Sequence, residues 1–289
     1  MKRFKNLVII LLFCSCLLSC KKPEKQVDIA ATTLPVYDIT AQLCRNTGLT
    51  VSRLITENVS CLHDYTLNPD QMKRAESADL LVISGAGFED FMEDVIASAN
   101  TVADASAGIH LHCSEHDHDD THNHDQDPHI WLSPENGKLM AENICTALCK
   151  TFPEHESEFK DNLFLLQTEF DRLIELADLE LSNLSCRKII TFHDSFSYMA
   201  ESFNLTILHA IEEESGSEAS AADIIEICNL IKEHQIPSIF TEKHGSNRAA
   251  TIVSGETGAK VYTLDTGLSG NNYLEAIQHN IYTLKEALE

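Results

Sequence analysis

The stretch from His110 to Pro134 reads HLHCSEHDHDDTHNHDQDPHIWLSP and concentrates side chains that ligate metals. Six of the fourteen histidines, His110, His112, His116, His118, His122 and His124, fall there among Glu115, Asp117, Asp119, Asp120 and Asp125. With few apolar residues the tract has nothing from which to build a core. It is expected to be a mobile loop whose neutral imidazoles and carboxylates bind divalent cations weakly and interchangeably. The next segment differs, because Pro128 stiffens the backbone before His129, and Ile130, Trp131 and Leu132 anchor it after. Three more residues share this kind of setting, just past a predicted strand or in a stiff loop, where open α/β sheets place their ligands. They are His63 in CLHDY, His193 in TFHDSF and Asp265 in YTLDTG.

Three imidazoles and one carboxylate make a complete tetrahedral set for zinc, whereas manganese asks for more oxygen. Asp64 and Asp194 stand beside two of these ligands, placed to accept the second imidazole N–H and fix the tautomer; capping of a following helix is the other role open to Asp194. His155, His209, His234, His244 and His279 have no comparable setting.

The elements that must position this set alternate. Apolar runs of strand length at 27–32, 49–55, 80–84 and 101–104 are separated by helical patterns at 36–47, 69–75, 89–97 and 134–150, which argues for a parallel sheet covered by helices. Past Pro153, Phe159, Leu163, Leu166, Phe170, Leu173, Ala177, Leu181 and Leu184 form one stripe, predicting a helix of roughly 29 residues, about 43 Å long. The second half repeats the alternation, with strands at 188–191, 205–208, 238–241 and 260–264 and helices at 195–203, 221–233, 248–257 and 273–288. Ser220 with Asp223 marks a helix start, and Gly258 a helix stop. The expected fold is therefore α/β, with two lobes, each a mainly parallel sheet flanked by helices, joined by one long backbone helix. Each half supplies two of the four ligands, so the metal site is expected in the interlobe cleft. The expected domains are an N-terminal lobe at 28–153 carrying the histidine-rich loop 110–126, a linking helix at 154–184 and a C-terminal lobe at 185–289.

Lys2, Arg3 and Lys5 precede a twelve-residue apolar run, Leu7 to Leu18, too short to span a bilayer but suited to a signal peptide. The run closes on Leu17-Leu18-Ser19-Cys20, which resembles a bacterial lipobox. That resemblance implies a signal peptide at 1–19, acylation of Cys20, a tether at 20–27 and a lipid anchor at a membrane surface. Removal of the three basic residues takes the formal charge from -24 to -27, so nucleic acid is not an expected partner. Besides Cys20, seven cysteines remain, Cys44, Cys61, Cys113, Cys145, Cys149, Cys186 and Cys228. They lack the close pairs of a structural zinc site and read mostly as small buried residues.

Several motifs resemble, in order, the zinc- and manganese-binding solute receptors of bacterial ABC importers, of the ZnuA and TroA type. These are His63-Asp64-Tyr65 with Pro69-Asp70, Asp127-Pro128-His129-Ile130-Trp131-Leu132-Ser133-Pro134, Thr191-Phe192-His193-Asp194, Phe240-Thr241-Glu242, Glu256 to Val261, and Leu264-Asp265. The resemblance implies two α/β lobes on a rigid long helix and one ion between them, at the four positions already singled out. It implies Zn2+ as cargo, with Mn2+ as the alternative. It also implies a monomer that delivers the ion to a membrane permease driven by a separate ATPase. Zinc receptors of this kind often carry a histidine-rich loop, and manganese receptors tend to have glutamate where His193 stands. One departure concerns Glu242, assigned a supporting role at the site: the family commonly has proline next, whereas Lys243-His244-Gly245 follow here, which also makes His244 an alternative ligand. A zinc hydrolase is the rival from another class, but HExxH and G-x-S-x-G are absent and Asp265 would fill the position that water needs. A surface adhesin or metal buffer, with the tract as its working part, is the third reading. On the grounds given against a hydrolase the chain is not expected to be an enzyme, and with no Walker motif and no membrane span in its mature part it is expected to be neither the pump nor the ATPase itself.

Overall fold

A computed structural model of the protein describes residues 27–57, 62, 65–112, 126–210 and 219–289. The expected signal peptide, Cys20, His63, Asp64, Cys61, Cys113 and the tract histidines from His116 to His124 lie outside the described residues. Strand β1 (Ile29–Ala31) is completely buried and pairs in parallel with β2 (Val51–Arg53) on one side and β3 (Leu80–Ile83) on the other; β4 (Val102–Asp104) extends β3. The second sheet has the order β6 (Thr206–Ala210), β5 (Lys188–Thr191), β7 (Ser238–Glu242), β8 (Lys260–Leu264), again parallel. Parallel strands covered on both faces read as continuous apolar runs, and Leu80 to Ile83 is buried at every position.

Helices start where side chains satisfy the exposed N–H groups of the first turn. In α1 (Leu34–Leu43) and α2 (Pro69–Ser77) proline occupies the first turn, and Asn68 with Gln71 closes a capping box on α2. The predicted run 36–47 ends early, at Leu43, because Asn46 and Gly48 turn the chain at φ 66° and 80°. After the short α3 (Glu93–Ser98), Ser133 caps α4 (Pro134–Thr151). The long helix α5 (Glu156–Glu180) buries Phe159, Leu166, Phe170, Leu173 and Ala177, as the stripe predicts, but stops before Leu181 in a turn. Helix α6 (Ser197–Ser202) follows β5. The pair Ser220 and Asp223 forms a capping box on α7 (Ala221–His234), and Gly258, at φ 79°, ends α8 (Arg248–Thr257); α9 (Tyr273–Leu288) closes the chain.

Helix α5 packs against α1 and α4 of the first lobe and against α9 of the second. One apolar core consequently runs from the first sheet through α5 to Phe240, Leu264, Ile277 and Ile281, and a smaller one of Ile190, Phe192, Ile227, Ile231, Ile239 and Val253 covers the far face of the second sheet. This shared core joins the two lobes, and among the described ligand candidates His193 and Asp265 leave from the C-terminal ends of β5 and β8. Cys44, Cys145 and Cys228 are buried as expected of small core residues. Among the described residues no helix is long and apolar enough to cross a membrane.

Candidate metal centre

His129 is held from three directions. The Asp127 carboxylate oxygen Oδ1 accepts the His129 backbone N–H at 2.9 Å and lies 2.8 Å from ring Nδ1. An ionised carboxylate only accepts, so Nδ1 carries the proton and Nε2 keeps its lone pair. Phe88 and Trp131 wall the ring edge to face, at centroid distances of 5.8 and 5.4 Å. Nε2 is buried and has no hydrogen-bond partner among the described residues, a costly arrangement for a polar atom unless a ligand completes it.

Asp127 is itself supported from the second lobe. Its Oδ2 accepts the Ser197 hydroxyl and its carbonyl accepts the Tyr198 hydroxyl at 2.9 Å. Burial alone would raise its carboxyl. Against that, the hydrogen bond from the His129 ring, the Ser197 hydroxyl and the His129 backbone N–H together hold it below the ordinary carboxylate value.

His193 follows β5 and is 4% exposed. Its ring stands 5.7 Å from that of His129 at 84°, so the two lobes bring two imidazoles together. Asp265, immediately after β8, is 7% exposed. Asn280 of α9 clamps its backbone, accepting the Asp265 N–H and donating to the Asp265 carbonyl, both at 2.8 Å. Trp131 donates its indole N–H to the Thr266 carbonyl at 2.8 Å, and Tyr273 donates to the Trp131 carbonyl. The Asp265 loop is thereby pinned to the segment that carries His129. The Asp265 carboxylate accepts the Gly267 N–H on Oδ1 at 2.9 Å and pairs with the Lys243 ammonium on Oδ2 at 2.8 Å.

The fourth expected ligand, His63, and its neighbour Asp64 fall in the β2–α2 connection, outside the described residues. Among the described residues no group of three His, Cys, Asp or Glu stands as a ready metal cluster. Asp194 is not the N-cap of α6, since Phe196 is. Glu242 is buried at the end of β7, where Gly245 approaches so closely that an added Cβ would lie 2.6 Å from Glu242 Cγ. His244 sits at φ 74° with Nε2 3.2 Å from the Ser269 hydroxyl. His112 departs from the picture of an interchangeable tract ligand, because its ring stacks on Tyr198 at 4.2 Å with Nε2 2.7 Å from Glu201. Sequence reasoning missed Asp127 as the residue that orients His129; the signal was a carboxylate two positions before a histidine, with a proline holding the spacing.

A family model described as zinc-uptake complex component A, periplasmic (ZnuA), matches residues 29–287. The chain belongs to that family. Members of the ZnuA family are zinc-binding receptors of ABC uptake systems that work outside the cytoplasm, a transport role and not a catalytic one. The high-affinity zinc uptake system protein ZnuA of Bacillus subtilis is 28% identical over 286 residues, covering 91% of this chain and 88% of that protein. A putative metal-binding protein of Chlamydia trachomatis is 27% identical over 227 residues, 78% of each chain. A crystal structure of ZnuA superposes with a TM-score of 0.80 at 27% identity, covering 91% of this chain and all of that one. The two parallel-sheet lobes and the long helix are thus the architecture of the ZnuA family.

Proposed function

We propose that His63, His129, His193 and Asp265 hold one Zn2+ between the lobes and that the receptor, anchored to a membrane through acylated Cys20, hands the ion as a monomer to its permease without any catalytic step. The observation that carries this reading is the buried Nε2 of His129, its tautomer set by Asp127 and its ring facing His193. Two imidazoles at the described part of the site favour zinc over manganese as cargo, since manganese prefers oxygen. Asp64, Asp194 and Glu242 serve as supporting groups around the ligands, and the tract binds further ions weakly.

The test is calorimetric titration with zinc and manganese of soluble protein beginning after Cys20. One tight zinc equivalent with weaker manganese is expected. His63→Ala, His129→Ala and His193→Ala should each weaken zinc by about a hundredfold or more. Unchanged zinc affinity in all three variants would remove the site.

A further inference from the structure

Lys243 holds the carboxylate that the cleft site requires. Its Nζ lies 2.8 Å from Asp265 Oδ2, and the pairing follows from sheet register. In the parallel ladder Glu242 stands opposite Leu264, and the Lys243 N–H continues the ladder onto the Leu264 carbonyl at 2.9 Å, which sets Lys243 beside Asp265. The two partners differ in access to water. The lysine side chain is 45% exposed and the aspartate 10%, so the ammonium is free to move into solvent while the carboxylate stays.

The other oxygen of Asp265 accepts the Gly267 N–H, and Asn280 fixes the backbone through both the N–H and the carbonyl of Asp265. Asp265 is therefore rigid, and a cation that binds through Oδ2 meets an ammonium at the same atom. Two positive charges a few ångströms apart in a partly desolvated cleft repel.

Resting on the cleft site proposed above, we infer that Lys243 is a tethered counter-cation: it competes with the incoming metal for Asp265, limits affinity, and disfavours oxygen-seeking ions such as manganese more than zinc. The specificity follows from the donor set, because an ion held chiefly by imidazoles loses less when its one carboxylate is contested. The same competition assists release, since the lysine is poised to take the carboxylate as the metal departs.

The test uses Lys243→Gln, the charge-preserving Lys243→Arg, Asp265→Asn, and the Gln and Asn changes combined, with zinc and manganese affinities read by chelator competition. Lys243→Gln should tighten zinc by about two- to fivefold, the range of a partly exposed ion pair, and manganese by a larger factor. Lys243→Arg, which keeps the competing positive charge, should not tighten zinc. In the Asp265→Asn background, Lys243→Gln should change both affinities by a clearly smaller factor, since only the direct charge repulsion is left to relieve once the contested carboxylate is gone. The inference is overturned if Lys243→Gln fails to tighten zinc, tightens manganese less than zinc, or acts equally in the Asp265→Asn background. Those results, with Asp265→Asn still weakening zinc, would leave the cleft site standing. If instead Asp265→Asn leaves zinc affinity unchanged, Asp265 is no ligand, and the cleft assignment and this inference fall together.

Discussion

A buried imidazole is a good ligand only if something decides which nitrogen holds the proton. At His129 that decision belongs to Asp127, whose Oδ1 engages both the ring Nδ1 and the backbone N–H of the same residue. Asp127→Ala should weaken zinc binding by about 10- to 100-fold, the usual loss when a ligand's orienting carboxylate is removed. Chelator competition measures this, and Ser197→Ala should give a smaller loss in the same direction because it removes only a support of Asp127. Glu89 offers a separate pH test. It is buried where β1 and β3 end, accepting the Thr32 hydroxyl at 2.6 Å and the Ser84 and Gly85 N–H groups at 2.8 and 3.0 Å. Burial raises its carboxyl to about 7 despite these donors. A raised folded-state value means a contribution to stability that is complete below the ordinary 4.5 and lost as pH climbs through about 7. The melting-temperature gap between the parent and Glu89→Ala should therefore be widest near pH 5 and narrow toward pH 8. Asp127 is shifted the other way, so its contribution is lost only as pH falls below the ordinary 3.8, outside that window. A gap that is constant or widens across the range would refute the assignment.

At the scale of elements, the contact between α4 and α5 depends on the absence of one side chain. A Cβ built on Gly137 would lie 2.4 Å from Cε1 of Phe170, a ring that is fully buried. Gly137→Ala gains helix propensity of about 1 kcal/mol but overpacks a core ring, at about 1–3 kcal/mol, so a net loss of stability is expected in thermal unfolding. Gly137→Ala combined with Phe170→Leu should recover part of that loss. The contrast between the stripe and this contact shows what was legible in the sequence. Phe159, Leu166, Phe170, Leu173 and Ala177 announce a helix because burial on one face repeats at the helical period, and the strand at 80–83 announces itself because parallel strands are apolar throughout. Which helix meets Phe170, and that a glycine admits it, depends on partners 33 residues away in sequence. The site divides in the same way. His129, His193 and Asp265 stand out from local setting, whereas the Asp265 ion pair with Lys243 arises from the register of β7 on β8, and the link from Ser197 to Asp127 joins two lobes. Neither leaves a local pattern to read.

Over the whole molecule, the histidine-rich insertion is closed at its root. The Asp127 N–H donates to the His112 carbonyl at 3.0 Å, so the two flanks of residues 113–125 already touch. His112 belongs to the scaffold: its N–H is received by the Tyr198 hydroxyl at 3.0 Å, its ring lies on Tyr198, and its ring nitrogens reach Ser197 and Glu201 in the second lobe. Asp127, on the other flank, orients His129. An excision that spares both flanks leaves every contact described at the centre in place and shortens the loop that folding must close, which is mildly favourable in entropy. Replacing residues 113–125 with a short Gly/Ser linker should therefore keep one tight zinc equivalent in calorimetry and hold the melting temperature within about 2 °C, while removing the weaker equivalents. Extending the excision to take residues 110–112 should lower the melting temperature by about 4 °C or more, because an interlobe anchor goes with it. Loss of the tight equivalent on removing 113–125 alone would transfer the binding function from the cleft to the tract and make this chain a metal buffer in place of a receptor.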